Sequence, residues 1–188
     1  MSTLLLTLAA PLQAWGDSSR FVERRTRQEP TKSGVLGLLA AALGRRRTDP
    51  IEDLVGLRFG VRTDQPGTLT RDFQTAIDWR TGRSMPLSHR YYLADAVFLA
   101  AVEGEDCLID GLVAGLGNPA FPLYLGRRSC PPAGPLTLVT VETPLAEALA
   151  NADWKARRWH RRRQGPTVRL SIVRDARTDE ISHESIRD

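Results

Sequence analysis

Val35 to Leu43 is nine residues long, and every one is apolar or glycine. Thr31 and Ser33 stand before the run and Gly44 after it. A hydroxyl side chain ahead of an apolar run and a glycine behind it bound a helix. The apolar side chains surround much of the circumference, so this helix has to be buried against a sheet. That requirement excludes a coiled coil or a disordered tail, and it makes the surrounding strands the next question.

Thr3 to Ala9 reads as a short leucine-rich strand and Pro11 to Ser19 as loop. Arg20 to Lys32 is polar and basic, and Pro30 interrupts it. Leu57 to Arg62 alternates apolar and polar residues, the pattern of a half-buried strand. Asp64 to Tyr92 is polar and holds Pro66, Gly67, Gly82 and Pro86; it reads as a hairpin arm turning near Arg80 to Arg83. Ala94 to Val102 suits a central strand. Glu105 to Leu116 reads as a second helix, with Cys107, Leu108, Leu112 and Val113 turned inward. Leu136 to Val141 is a further strand, and Thr143 to Asn151 is a short helix opened by Thr143 and Pro144. Thr167 to Arg174 is a candidate last strand. Without the arm the order is strand, helix, strand, strand, helix, strand. The expected fold class is therefore α+β, a ferredoxin-like βαββαβ domain of the kind that includes the RNA-recognition motif. Its expected span is residues 1–151, with the arm inserted at about 64–92 and a basic extension over 152–188. Fold alone does not settle function.

Of 188 residues 26 are basic, all arginine except Lys32 and Lys155, and the net charge is +4. Arginine's planar fork donates paired hydrogen bonds to phosphate and stacks on bases, although a solvated basic surface fits the same count. Two cysteines, Cys107 and Cys130, are too few for a disulfide framework, and the expectation is a reducing cytoplasm. No apolar run has the ~18 residues of a membrane span. The apolar stretch from Leu4 to Trp15 lacks a basic flank and is interrupted by Pro11, Gln13 and Trp15, so it does not read as a convincing signal peptide.

Four segments carry candidate chemistry. At Thr31-Lys32-Ser33-Gly34 the first N–H groups of the helix, two hydroxyls and an amine are suited to a phosphate, though the stretch alone favours an ordinary capped helix. It is not a P-loop, because threonine rather than glycine precedes Lys32. Gly126-Arg127-Arg128-Ser129 lies in a loop dense in glycine and proline and sets two guanidinium groups beside open backbone, an arrangement that tracks a phosphodiester chain; a structural loop with solvated arginines is the alternative. His89 and Tyr91, at the return of the arm, are candidates for stacking against bases; packing beneath the arm is the alternative. Trp154 to Arg163 interleaves six basic residues with two tryptophans and a histidine, which suits nucleic acid or, equally, a solvated helix anchored by its tryptophans.

Enzymatic readings fare worse. His89, His160 and His183 show no metal-ligand spacing, and no nucleophile elbow is present. The expectation is no catalytic residue, no metal and no cofactor. The alternative is a metal-free ribonuclease assembled from His89, Tyr91 and Lys32.

Three stretches carry a resemblance: LTLAAPLQAWG from Leu6 to Gly16, PTKSGVLGLLAAALG from Pro30 to Gly44, and PLYLGRRSCP from Pro122 to Pro131. In this order they resemble the CasD family, the RAMP-type subunit of the type I-E CRISPR Cascade complex. HRYYLADA from His89 to Ala96 is similar to the strand that leaves that family's thumb, and ISHESIRD from Ile181 to Asp188 is also similar. The resemblance implies a modified ferredoxin-like domain with a protruding β-hairpin thumb. It further implies a non-catalytic subunit that grips and caps the 5′ handle of crRNA. The implied partners are a CasC-type backbone subunit along the thumb and a CasA-type large subunit nearby, with neither a membrane nor a small-molecule substrate. Arg90 matches an arginine of the thumb's return strand, which implies a handle contact. Arg27, Thr31 to Gly34, Arg90 and Gly126 to Ser129 are thus the expected RNA-binding residues. Gln13 and Trp15 belong to the first motif, and Trp15 is expected in the core. Family members usually continue with a further strand, so the expectation is either a shortened chain or the absence of that closing element. A related family in another subtype cuts RNA with tyrosine, histidine and lysine, which keeps the ribonuclease as the second reading.

Overall fold

The computed structural model of the chain describes residues 1–16 and 23–176. The similarity noted at Ile181 to Asp188 lies outside them. The elements are β1 (Ser2–Ala9), β2 (Leu12–Gln13), β3 (Glu23–Arg24), α1 (Lys32–Ala42), α2 (Glu52–Val55), β4 (Arg58–Gln65), β5 (Thr68–Gln74), β6 (Ser88–Ala94), β7 (Val97–Gly104), α3 (Asp106–Gly117), β8 (Thr137–Val141), α4 (Leu145–Asn151), α5 (Arg158–Arg161) and β9 (Ser171–Arg174). The fold is α+β, built on two sheets.

The larger sheet runs β8-β1-β7-β4-β9, and every neighbour is antiparallel. β1 lies inside it with helices on both faces. Its Leu4, Leu6 and Leu8 join Val35, Leu39, Ile109 and Leu112 of α1 and α3 in the main core, while Leu5 faces Leu145 and Leu149 of α4. A strand covered on both faces has no polar side to show, which explains the leucine run. The all-round apolar α1 is equally explained: Val35, Leu36, Leu38, Leu39 and Ala42 are buried.

In the smaller sheet β6 pairs with β5 along one edge and with β2 and then β3 along the other. β5 and β6 are antiparallel from Thr68↔Ala94 to Gln74↔Ser88, and an Ile77–Ser84 bridge extends the pairing to a turn at 78–83. There the Asp78 carboxylate accepts from the Arg80 N–H and the Thr81 hydroxyl, which hold it below the usual carboxylate range.

Several local expectations need correction. Of the four residues expected inward on α3, Leu112 is buried and Leu108 and Val113 pack partly buried against the core, but Cys107 is exposed; Ile109 and Leu116 complete the buried face. The expected loop after Pro11 contains β2, and the basic segment before α1 contains β3, each only two residues long. So short a strand has no periodicity to read. Among the described residues no helix is long and apolar enough to cross a membrane.

Residues 152–176 return to the larger sheet. Arg62 and Asp64 form an ion pair at 2.7 Å with side-chain exposures of 3% and 0%. The Arg62 guanidinium also donates to the carbonyls of Leu149, Ala152 and Asp153, and Asp64 accepts from the Lys155 N–H. Trp154 Nε1 donates to the Asp64 carbonyl at 2.8 Å. Every polar atom of the buried pair is thereby used, the condition under which such a pair is tolerated.

Candidate nucleic-acid interface

Trp15 is 1% exposed and is the hub on which three distant segments meet. Its indole Nε1 donates to Gln13 Oε1, and Gln13 Nε2 in turn donates to the carbonyls of Leu8 and Ala96. Gln13 is thus a buried bracket that fixes the indole. The Trp15 N–H donates to Thr26 Oγ1 at 2.8 Å, and the Arg27 N–H donates to the Trp15 carbonyl at 2.7 Å.

The indole lies against the opening of α1. A Cβ at Gly34 would stand 2.9 Å from Trp15 Cε3, so only glycine lets the helix sit there. Thr31 is the N-cap, and its hydroxyl accepts from the Gly34 N–H at 3.2 Å. Ser33 is exposed beside it. Lys32 is engaged elsewhere: its Nζ lies 2.7 Å from Asp175 Oδ2, which also accepts from the Phe59 N–H. That amine ties the C-terminal segment to the start of β4. Asp175 was invisible as its partner in sequence, since 143 residues separate the two.

The third segment is the loop at 125–130. The Ala14 N–H donates to the Leu125 carbonyl, and Gly126 crosses the Ala14 backbone at φ +86°. Arg127 turns inward: its Nη1 donates to the Tyr91 carbonyl at 3.0 Å and its Nη2 to the carbonyls of Arg24 and Arg25 at 2.7 and 3.1 Å. Its guanidinium lies 5.0 Å from the centre of the buried Tyr92 ring. Arg127 therefore staples the loop to β6 and β3. Arg128 and Ser129 point outward and are exposed. Cys130 is buried with Ala14 and Tyr92, and burial pushes its thiol pKa up.

β6 completes the group. Strand alternation sets His89 and Tyr91 on one face and Arg90 and Tyr92 on the other. His89 Nδ1 and Arg90 Nε are buried without a hydrogen-bond partner among the described residues. A buried polar atom left unpaired costs about 1–3 kcal/mol, so such atoms are suited to receive a ligand group. Arg24 lies beside Arg90 in the β3–β6 register and is exposed. The sequence reading missed Arg24 because nothing local pairs it with Arg90.

Thr31, Ser33, Gly34, Arg27, Arg90 and Gly126 to Ser129 are thus gathered by one buried tryptophan and one inward arginine. Donor groups dominate this surface, which suits phosphate oxygens. Lys32 faces Asp175 rather than His89 or Tyr91. Among the described residues no three histidine, cysteine or acidic side chains gather to hold a metal.

The sequence profile described as "CRISPR-associated protein (Cas_Cas5)" matches residues 3–188. The CRISPR system Cascade subunit CasD of Escherichia coli (strain K12) is 37% identical over 161 residues, which is 75% of this chain and 72% of that protein. A solved structure described as "Crystal structure of Cas protein" superposes with a TM-score of 0.63 at 49% identity, over 78% of this chain and 69% of that one. A chain of a "CRISPR RNA-guided surveillance complex" gives 0.63 at 38% identity, over 71% of this chain and 61% of that one. By profile, identity and superposition together, the chain belongs to the Cas5 family of CRISPR-associated proteins and is a relative of the Cascade subunit CasD.

Proposed function

We propose that this chain is the non-catalytic subunit of a type I-E CRISPR surveillance complex that grips and caps the 5′ handle of crRNA. The observation that carries the reading is the convergence on Trp15 of the α1 opening, Arg27 and the Gly126 to Ser129 loop. Arg128, Ser129, Ser33 and Arg90 Nε, which has no partner among the described residues, supply donors there, and Arg127 keeps them in register. Kinship with CasD, and likeness to a chain of an RNA-guided surveillance complex, support the assembly. In such complexes guide pairing reads the target while protein contacts hold backbone and shape.

The strand order supports a ferredoxin-like body. Within β8-β1-β7-β4 the fourth, first, third and second strands of a βαββαβ unit stand side by side, and α1 and α3 share one face. The β5–β6 hairpin is then the thumb. It exposes Phe73, Ile77, Trp79, Met85 and Leu87, a run of apolar surface suited to cover by the CasC-type backbone subunit. The CasA-type large subunit docks near the capped end, and the assembly works in the cytoplasm.

The test is binding of RNA carrying the handle against the same RNA with the handle scrambled, together with sequencing of RNA that co-purifies with the chain. Preference for the handle and recovery of repeat-derived 5′ ends support the reading; equal binding of both RNAs defeats it. Metal-free cleavage of a repeat hairpin, lost in His89→Ala, would install the ribonuclease instead.

A further inference from the structure

From Lys155 to Arg174 the chain carries eight cations and no carboxylate. Two are neutralised: Lys155 lies 3.7 Å from Asp153 and Arg157 2.8 Å from Asp95. Arg158, Arg161 and Arg162 are exposed and form no ion pair among the described residues. Beside them Trp159 remains 45% exposed. Arg163 sits 5.2 Å from the centre of its ring, and His160 meets it edge-on at 5.5 Å. His160 in turn packs edge-on against Trp154, whose indole is anchored on Asp64.

This cluster is held firmly. The buried Arg62–Asp64 pair grips residues 149–155, and the Arg157 N–H donates to Gln65 Oε1. Gln65 ends β4, and Asp95 stands in the β6–β7 turn, so α5 sits at the base of the β5–β6 arm. The 125–130 loop is anchored elsewhere, on Tyr91, Arg24 and Arg25.

Like charges held close repel unless a counter-charge is supplied. An acidic protein surface would supply one but would leave an exposed indole with nothing flat to cover it. A nucleic-acid strand supplies both phosphates and flat bases. One helical turn is too short to read a duplex groove in the manner of a recognition helix, and an indole stacks on a base only when that base is unpaired. We infer that residues 157–163 form a second nucleic-acid surface, separate from the handle interface, that binds a single strand with phosphates on Arg158, Arg161 and Arg162 and one base on Trp159. The inference goes beyond the handle reading and stands without it.

The test uses the full chain with short oligouridylate and oligothymidylate, neither carrying handle sequence, titrated by fluorescence anisotropy across a range of salt. Removing both Arg161 and Arg162 by alanine is expected to lower the slope of log K against log salt by about 1.4, from roughly 0.7 per phosphate contact on a single strand. Trp159→Ala is expected to weaken binding about tenfold, and Trp159→Phe to keep most of it. Thermal unfolding controls for folding, and these exposed positions should leave it unchanged. A preference for either oligomer supports the inference and tells whether the strand is RNA or DNA. Binding that survives both the Arg161/Arg162 double variant and Trp159→Ala, or that falls in Arg128→Ala alone, overturns it. Loss of handle preference while the oligomer response persists would sink the handle reading and leave this one standing.

Discussion

A Cβ on Gly126 would stand 1.8 Å from the carbonyl oxygen of Ala14, closer than any side chain tolerates. Position 126 also lies at φ +86°, where an L-residue costs about 1–2 kcal/mol before any clash. Gly126→Ala is therefore expected to lower stability by at least that much and to lift the 125–130 loop off Ala14. Thermal unfolding reads the first effect. Handle binding should fall further than in Arg128→Ala, because the whole loop is displaced; equal losses would count against a fixed loop.

Arg127 and Arg128 are neighbours with separable roles. Arg128→Ala removes an exposed cation, so stability should stay within about 0.5 kcal/mol and the salt slope for handle RNA should fall by about 0.7. Arg127→Ala removes a guanidinium that serves three carbonyls and the Tyr92 ring. A destabilisation of about 1.5–3 kcal/mol is expected, given its partial exposure. Lysine should not rescue it, since a point charge cannot fork between β6 and β3. Chemical unfolding of the two single variants separates the roles.

Arg62→Ala leaves the Asp64 carboxylate buried without its counter-charge and strips the carbonyls of Leu149, Ala152 and Asp153 of their donor. The expected cost is about 3–5 kcal/mol. The 149–157 segment should loosen first, which limited trypsin digestion would report as faster cleavage after Arg157 and Arg158. An unchanged digestion pattern would show that the latch is dispensable.

The two cysteines should differ in reactivity. Cys107 is exposed on α3, whereas Cys130 is buried and its thiol is pushed up, chiefly by burial. The thiolate is the nucleophile, so at mildly alkaline pH alkylation should modify Cys107 and spare Cys130 until the protein unfolds. A thiol raised in the folded state stabilises the fold below the ordinary thiol range, and that contribution is lost as pH climbs toward the raised value. Mass spectrometry after timed labelling checks the order.

The main elements were legible because burial leaves a periodic imprint. The all-apolar α1 read as a covered helix capped by Thr31 or Ser33, and the leucines of β1 read as a strand; that Thr31 is the cap and that β1 is an inner strand came only from the fold. The motifs around Gln13-Ala14-Trp15, Thr31 to Gly34 and Gly126 to Ser129 likewise stood out in the chain, as did the basic cluster at 154–163. Their relationships did not. That Gly34 is a seat for Trp15 and Gly126 a crossing over Ala14 depends on contacts between residues far apart in sequence, as does the use of Arg127 as a staple and Lys32 as a tie to Asp175. Charge and composition are properties of single residues and survive in a string of letters. Which cation meets a carbonyl, which meets a carboxylate and which is left facing solvent is decided by chain crossing and desolvation, and those exist only once the chain is folded.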